Sequence, residues 1–73
     1  MDKEQLRILI GKNIRKERLT QNMTIDQLAE ELDVSSMFVN LLENGKRGVT
    51  SHTFLKLAET FNVSIDSFFG RAQ

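Results

Sequence analysis

The sequence predicts an all-α protein of five helices. Apolar residues recur at helical spacing along the whole chain, and no segment shows the strict alternation that is typical of strands. Proline is absent, and three of the four glycines fall between or after the periodic stretches, where helices end. With 73 residues, the chain is predicted to form a single domain, 1–73, with a short polar tail over 70–73.

The first helix is expected over about residues 3–21. Its apolar stripe consists of Leu6, Leu9, Ile10 and Ile14. Gly11 lies inside this helix, where glycine costs ~1 kcal/mol relative to alanine, and it therefore suggests that another backbone passes close by. Asn22 is the predicted stop, because asparagine tolerates the left-handed backbone conformation.

Helix two begins with a recognisable cap. Thr24 is the capping residue, and Gln27 three positions later completes a capping box. The inner face is formed by Leu28, Ala29 and Leu32. The helix is expected to end near Asp33, another residue that tolerates positive φ.

Helix three follows almost at once. Ser35 is its predicted cap, the helix spans about residues 36–43, and Asn44-Gly45 is a strong stop signal. Because only three residues join helices two and three, the two helices must cross steeply and approach closely. This geometry is typical of a helix-turn-helix, which we place at about residues 24–45.

Helix four is expected to start at Thr50 or Ser51 and to end at Asn62. Its apolar stripe consists of Phe54, Leu57, Ala58 and Phe61. Ser64 is then the predicted cap of a short fifth helix, with apolar contacts from Ile65, Phe68 and Phe69.

Two adjacent phenylalanines raise the question of self-association. On a helix the side chains of Phe68 and Phe69 would point in directions ~100° apart, so they cannot both face the same core. One is expected to close the core of the monomer and the other to be exposed. We therefore hypothesise that helix five, with part of helix four, forms a two-fold dimer contact.

Composition excludes several classes of function. There are no cysteines and a single histidine, His52, so no disulfide framework, no metal site and no cofactor is expected. No catalytic constellation is visible, and an enzyme is not expected. The chain has no apolar run of membrane-spanning length and no signal peptide at its start, so a cytoplasmic protein is expected.

Charge is balanced overall but unevenly distributed. The ten basic residues equal the ten acidic ones. Residues 19–43, however, contain five acidic and no basic residues, whereas both flanking segments are basic. The net charge therefore gives no evidence for a polyanionic partner, and a solvated surface of mixed charge is one interpretation of this pattern.

The segment LAEELDVSSMFVNLLENGKR resembles the helix-turn-helix of lambda-repressor and Cro-like (XRE-type) DNA-binding domains. The resemblance extends over about residues 10–69, from Gly11 to the closing Val63-Ser64-Ile65-Asp66. It implies a compact five-helix, lambda-repressor-like domain whose third helix enters the major groove of DNA. It also implies a sequence-specific, repressor-type transcriptional regulator that binds a pseudo-palindromic operator in double-stranded DNA as a homodimer.

The resemblance also assigns roles to individual residues. The base-reading positions are Ser36, Met37, Asn40 and Leu41. The phosphate-binding positions are Thr24, Ser35, Asn44, Lys46, Arg47, Thr50 and His52, to which the basic cluster of helix one adds Arg15. A structural ion pair is expected between Arg18 and Glu43, because either charge alone in a core would cost several kcal/mol. Ile25, where many relatives have a phosphate-binding glutamine, weakens the phosphate site at the start of helix two.

Two alternatives remain open at this stage. Met37 and Leu41 share a helical face, and such apolar pairs are more often used in packing than in recognition. Together with the zero net charge and the acidic middle, they also fit a helix-turn-helix used as a protein-interaction module. The second alternative is that this chain is the DNA-binding part of a larger regulator.

Overall fold

A computed structural model describes residues 1–70 of the chain. The described part contains four α-helices, namely α1 (Lys3–Thr20), α2 (Ile25–Leu32), α3 (Ser36–Glu43) and α4 (Ser51–Phe61). A 3-10 helix, Ile65–Phe69, follows α4. The all-α prediction is confirmed, since no strand occurs between residues 1 and 70.

The prediction of a fifth α-helix is wrong. The 3-10 helix that follows α4 has five residues and ends at Gly70, whose φ is 74°. Its bonds span three residues, as in Ser67 N–H to Ser64 O and Gly70 N–H to Ser67 O. In so short a segment, more hydrogen bonds can form between residues three positions apart than between residues four positions apart, which is the α-helical pattern. Of the predicted polar tail, 70–73, only Gly70 belongs to the described residues.

Local side-chain chemistry sets the helix boundaries. Thr24, Ser35 and Thr50 each accept a hydrogen bond from the third backbone N–H of the helix that follows. The capping box of Thr24 with Gln27 is present as predicted. An equivalent box, formed by Asp2 and Gln5, starts α1. The stops predicted for positive φ are confirmed at Asn22 (58°), Asp33 (59°) and Asn62 (57°).

One cluster of buried side chains joins the described elements. Its members are Ile10, Ile14, Leu28, Ala29, Leu32, Val39, Leu57, Phe61 and Phe68. They come from all four α-helices and the 3-10 helix. The stripe predicted on α1 is only partly buried: Leu6 is exposed, because the first turns of this helix line a surface groove instead of the core.

Gly11 marks the crossing of α1 and α3. A Cβ atom at this position would lie 2.4 Å from the carbonyl oxygen of Leu42 and 2.7 Å from that of Glu43. The backbone of α3 therefore passes as close as the unfavourable glycine inside α1 suggested. This contact fixes the C-terminal end of α3 against α1 and positions the rest of the helix.

The two phenylalanines near the C-terminus have different surroundings. Phe68 is fully buried, with ring centroids of Phe54 and Phe61 at 6.1 and 6.3 Å. Phe69 is half-buried and stacks on Phe54 at 5.6 Å. Phe68 is therefore the phenylalanine that closes the core of the monomer, and Phe69 is the one that has side-chain surface left. The prediction that Phe68 and Phe69 belong to a dimer interface stays a prediction.

Membrane insertion is not supported by the helices that the structure describes. None of them combines the length and the apolar character that a bilayer-spanning helix requires.

Candidate nucleic-acid interface

Helix α3 has one face in the core and one face in solvent. Val39, Leu42 and Glu43 are buried on the inner face. Met37, Asn40 and Asn44, spaced three and four residues apart, are exposed on the outer face. Met37 is 72% exposed, more than any other large apolar residue on the described helices. Met37 therefore supplies apolar surface on the outer face of α3.

The four predicted base-reading residues are not equally accessible. Met37 and Asn40 are exposed, whereas Ser36 and Leu41 are half-buried at the edges of the outer face. The structure thus brings Ser36, Met37 and Asn40 together within the first turn and a half of α3. Leu41 offers only part of its side chain to a partner.

Asn40 is oriented by its neighbour at the end of α3. The Asn44 side-chain amide donates to the Asn40 backbone oxygen at 2.8 Å and to Asn40 Oδ1 at 3.2 Å. The Asn40 oxygen is therefore engaged as an acceptor. This side chain offers a ligand its two N–H groups and the remaining lone pair of Oδ1. Asn44, in turn, orients Asn40 while it caps the helix.

Ser36 is linked to an acidic residue that the sequence did not single out. Its hydroxyl donates a hydrogen bond to Asp26 Oδ1 in the first turn of α2. Asp26 is exposed, and it places a negative charge beside the start of α3. The two residues are ten positions apart, so only the crossing of the two helices brings them together.

The helix starts differ in their suitability for phosphate. Thr24, Ser35 and Thr50 use their hydroxyl oxygens as caps. Thr24 and Ser35 each keep a hydroxyl proton to donate, whereas the Thr50 hydroxyl donates to Thr53 Oγ1 at 3.1 Å. The start of α2 carries Asp26, and Ile25 packs against the core. A carboxylate there competes with any phosphate for the helix N-terminus. The start of α4, which has no acidic residue in its first turn, is therefore a better anion site than the starts of α2 and α3, both of which lie beside Asp26.

The loop after α3 carries the main basic groups. Lys46 and Arg47 are both exposed, and Gly45 turns the chain with a φ of 70°. The Arg47 guanidinium carbon lies 4.9 Å from the centre of the Phe38 ring. This cation–π contact restricts where the Arg47 side chain points. His52 is exposed in the first turn of α4, close in sequence to this loop.

Of the arginines on α1, Arg15 is the predicted phosphate-binding residue, but Arg7 is the one that lies near the loop after α3. Arg15 lies with Lys12, Lys16 and Leu19 around a shallow surface depression. The loop residue Gly48 instead lies near Arg7, because a Cβ atom at position 48 would be 3.9 Å from Arg7 Cδ. Arg7 thus lies beside Gly48 and Val49, in the same loop that carries Lys46 and Arg47. No sequence signal indicates this, since the contact depends on how α1 packs against the loop.

Arg18 and Glu43 hold the inner side of the site. Both residues are 7% exposed. Arg18 Nε donates to Glu43 Oε2 at 2.6 Å and Nη2 donates to Oε1 at 3.1 Å, while Nη1 donates to the Met23 carbonyl oxygen at 2.9 Å. This two-point ion pair ties the last residue of α3 to α1 and to the turn before α2.

The exposed groups of this surface are suited to noncovalent recognition. They comprise cations, an amide, hydroxyls and one apolar side chain. Among residues 1–70, no three histidine, aspartate or glutamate side chains lie close enough together to hold a metal ion.

Comparison with known proteins identifies the fold family. The family model HTH_3, described as helix-turn-helix, matches residues 14–68. The chain belongs to the HTH_3 family. The matched range contains α2, α3, α4 and all but the last residue of the 3-10 helix, so the resemblance seen in the sequence is confirmed.

Two relatives of this HTH_3 chain are named as transcriptional regulators. The HTH-type transcriptional regulator PrpR of Mycobacterium tuberculosis is 37% identical over 62 residues, which are 85% of this chain and 13% of PrpR. The HTH-type transcriptional repressor RghR of Bacillus subtilis is 35% identical over 63 residues, which are 85% of this chain and 47% of RghR. The chain therefore spans less than half the length of either relative.

A solved structure supports the same architecture. The restriction-modification controller protein C.AhdI of Aeromonas hydrophila superposes with a TM-score of 0.81 at 24% identity. The superposition covers 86% of this chain and 96% of that chain. At this identity the likeness shows a shared fold.

Proposed function

We propose that the chain is a sequence-specific, DNA-binding transcriptional regulator of the repressor type, which inserts α3 into the major groove. The observation that carries the proposal is the outer face of α3, where Ser36, Met37 and Asn40 point away from the core beside a basic loop. The naming of two HTH_3 relatives as transcriptional regulators supports it. The proposal describes a cytoplasmic binding protein, not an enzyme, with residues 1–73 acting as one domain.

The exposed chemistry of α3 fits base recognition. An α-helix fits the major groove, where adenine and guanine offer N7 as an acceptor and thymine offers its methyl group. Asn40 directs its N–H groups outward, and Met37 presents an apolar surface for thymine methyls. Leu41 would contribute at the edge of this surface. The side chains therefore favour A·T-containing sites.

Phosphate binding would come from both sides of α3. Lys46, Arg47 and Arg7 supply charge on the side of the loop. The start of α4 supplies backbone N–H donors, and Ser35 at the start of α3 supplies a hydroxyl donor. Helix N-termini attract phosphate oxygens, and each cation that neutralises a phosphate releases a counterion. Binding should therefore weaken steeply as salt increases. Asn44, His52 and Thr24 are further candidates, and so is Arg15, which lies with Lys12 and Lys16 on α1.

We also propose that two protomers bind one pseudo-palindromic site. Leu55 on α4 and Ile65 on the 3-10 helix are 54% and 41% exposed, and half-buried Phe69 belongs to the same 3-10 helix. These residues supply apolar surface for the two-fold contact that the adjacent phenylalanines suggested. In such a dimer the half-sites lie one turn of DNA apart, ~10 bp centre to centre.

Selection of binding sites from random duplex DNA tests the proposal. The chain is incubated with the library at low salt, bound DNA is recovered and sequenced, and the selection is repeated at higher salt. We expect a palindromic motif with spacing of about one helical turn, and recovery that falls with salt. Absence of enrichment at every salt concentration would contradict the proposal.

The alternative function is a protein-interaction module on the same fold. The exposure of Met37 and the five acidic residues within 19–43 favour it. In that case the library yields no motif, and Met37→Ser abolishes association with a protein partner instead of altering a DNA preference.

A further inference from the structure

Asp26 and Ser36 form a linked pair of oxygen-bearing side chains at the start of α3. The Ser36 hydroxyl donates to Asp26 Oδ1, and this bond joins the first turn of α2 to the first residue of α3. Asp26 is exposed and Ser36 is half-buried on the side of the helix that faces solvent. The proposed function assigns Ser36 a base-reading role but leaves Asp26 without one.

The hydrogen bond determines what the pair can offer a ligand. The Ser36 proton is committed to Asp26, so the serine oxygen has only lone pairs left for another partner. An ionised carboxylate has no proton and offers its second oxygen as an acceptor as well. The pair therefore presents hydrogen-bond acceptors and no donor.

Asn40 presents the opposite chemistry one turn later. Its side-chain oxygen accepts from the Asn44 amide, so its N–H groups remain for a ligand. Ser36 and Asn40 are four residues apart and lie on one side of α3. Along its outer face, the helix thus shows acceptors at its N-terminal end and donors one turn further on.

In the major groove, only two bases provide a donor. Adenine has the N6 amino group and cytosine the N4 amino group, whereas guanine shows two acceptors and thymine an acceptor and a methyl group. We propose that the Asp26–Ser36 pair selects a base with a major-groove amino group, adenine or cytosine, at one position of each half-site. The inference rests on the proposed function and names the specificity of that same surface.

The pair also discriminates by repulsion. A guanine at this position would place its N7 and O6 acceptors against two acceptor oxygens, one of them charged. Such a contact leaves polar atoms desolvated without a partner, which costs more than a missing attraction. Guanine should therefore be the most strongly excluded base at this position.

The experiment compares four forms of the chain in the random-duplex selection. These are the wild type, Asp26→Asn, Ser36→Ala and the control Glu30→Gln. Asp26→Asn keeps the shape of the side chain but replaces one acceptor oxygen by a donor. Glu30→Gln removes the same charge from an exposed position of the same helix, and thus reports the general effect of charge on DNA binding. Circular dichroism of each variant establishes that it is folded.

The wild type should enrich adenine or cytosine about tenfold over guanine at one half-site position. In Asp26→Asn this preference should disappear or turn toward guanine and thymine, because the new N–H group can donate to their acceptors. In Ser36→Ala it should weaken several-fold, and in Glu30→Gln it should remain. The sequenced library also separates an adenine preference from a cytosine preference.

The outcomes distinguish this inference from the function on which it rests. If the wild type selects no DNA motif, the proposed function fails and the inference fails with it. If a motif is selected but is the same in all four forms, only the inference is overturned. An equal loss of preference in Glu30→Gln would also overturn it, because a general charge effect would then explain the result.

A second measurement needs no variant of the protein. In the selected site, the preferred base is replaced by its analogue without the amino group, purine for adenine or 2-pyrimidinone for cytosine. Affinity of the wild type should fall about tenfold. Unchanged affinity would overturn the inference even if Asp26→Asn or Ser36→Ala does not fold.

Discussion

The inner and outer faces of α3 show two ways in which the same eight residues are constrained. On the inner face, Val39, Leu42 and Glu43 are buried, and the α3 backbone touches α1 at Gly11. On the outer face, Met37 and Asn40 are exposed to solvent, and Asn40 is hydrogen-bonded to Asn44 at the end of the same helix. The inner face is determined by the rest of the chain. The residues of the outer face are not determined by packing, so their identity can follow from what the helix binds.

This difference predicts that substitutions on the two faces affect different measured quantities. Changes on the inner face should lower the free energy of unfolding and affect binding only through folding. Changes on the outer face or its flanking loop should alter binding and leave the free energy of unfolding nearly unchanged.

The largest effect is expected from Glu43→Gln. It leaves the Arg18 guanidinium buried beside a neutral amide, and breaking a buried ion pair in this way typically costs ~3–5 kcal/mol. Because the side chains are 8% and 4% exposed, solvent offers little compensation. Urea denaturation followed by circular dichroism measures the loss.

Glu59→Gln on α4 is the control, since Glu59 is exposed. It should change the free energy of unfolding by less than ~0.5 kcal/mol. The double variant Arg18→Met with Glu43→Leu should recover much of the stability, because it removes both charges together. Equal, small losses in Glu43→Gln and Glu59→Gln would show that the buried pair does not hold α3.

Gly11→Ala should have the second largest effect. Alanine would gain ~1 kcal/mol of helix propensity, but its Cβ would lie 2.4 Å from the Leu42 carbonyl oxygen. The two helices must separate, and overpacking of this kind costs ~1–3 kcal/mol, which exceeds the gain in propensity. We expect a net loss in the free energy of unfolding, measured in urea.

Gly48→Ala is the matched control for this glycine. The nearest atom to its Cβ would be Arg7 Cδ at 3.9 Å, an ordinary contact distance. Its φ does not lie in the left-handed region, so alanine fits, and stability should stay equal or rise by ~0.4–1 kcal/mol. A Gly11→Ala protein as stable as the wild type would mean that α1 and α3 are not in close contact.

Much of the inner face and of the helix boundaries could be predicted from the sequence. Some features can be recognised from a few consecutive residues of the sequence. They are the unfavourable glycine inside a helix (Gly11), a residue suited to positive φ (Asp33) and the capping box that begins with Thr24. The capping box of Asp2 with Gln5 carried the same kind of signal and was missed. The fifth α-helix was wrong because its segment is too short, although its apolar residues have helical spacing.

The outer face was harder to predict, since its contacts join distant positions. The bond between Asp26 and Ser36 and the contact of Arg47 with Phe38 depend on the crossing angle of α2 and α3 and on the path of the loop. The resemblance to a family identified which positions of α3 face outward. It did not indicate that an acidic residue lies beside them.

Substitution of the loop cations should weaken DNA binding without unfolding the chain. In Lys46→Ala with Arg47→Ala, the slope of log affinity against log salt should become less steep by ~1.8, because two phosphate contacts are lost. The loss should be similar for all DNA sequences, since phosphates carry no sequence information. Fluorescence anisotropy with labelled duplex at several salt concentrations measures both quantities.

Lys12→Ala with Lys16→Ala provides a control with the same change in net charge. These lysines belong to the α1 patch around Leu19, away from Gly48 and Arg7. The salt slope of this control should remain close to that of the wild type. Equal slopes for both double variants would show that binding follows total charge and not the loop.

The smallest effect on stability is expected from Met37→Ala, which directly compares the two faces. Met37 is 72% exposed, so its truncation should change the free energy of unfolding by less than ~0.5 kcal/mol. The inner-face variant Val39→Ala removes fewer atoms, yet it should cost more, because Val39 is fully buried and a cavity remains. In DNA selection, Met37→Ala should weaken the preference for thymine while other positions stay the same, because only the apolar contact with the thymine methyl is lost. If Met37→Ala instead destabilised the chain as much as Val39→Ala, the methionine would belong to the packing of the protein, and the outer face of α3 would have to be sought elsewhere.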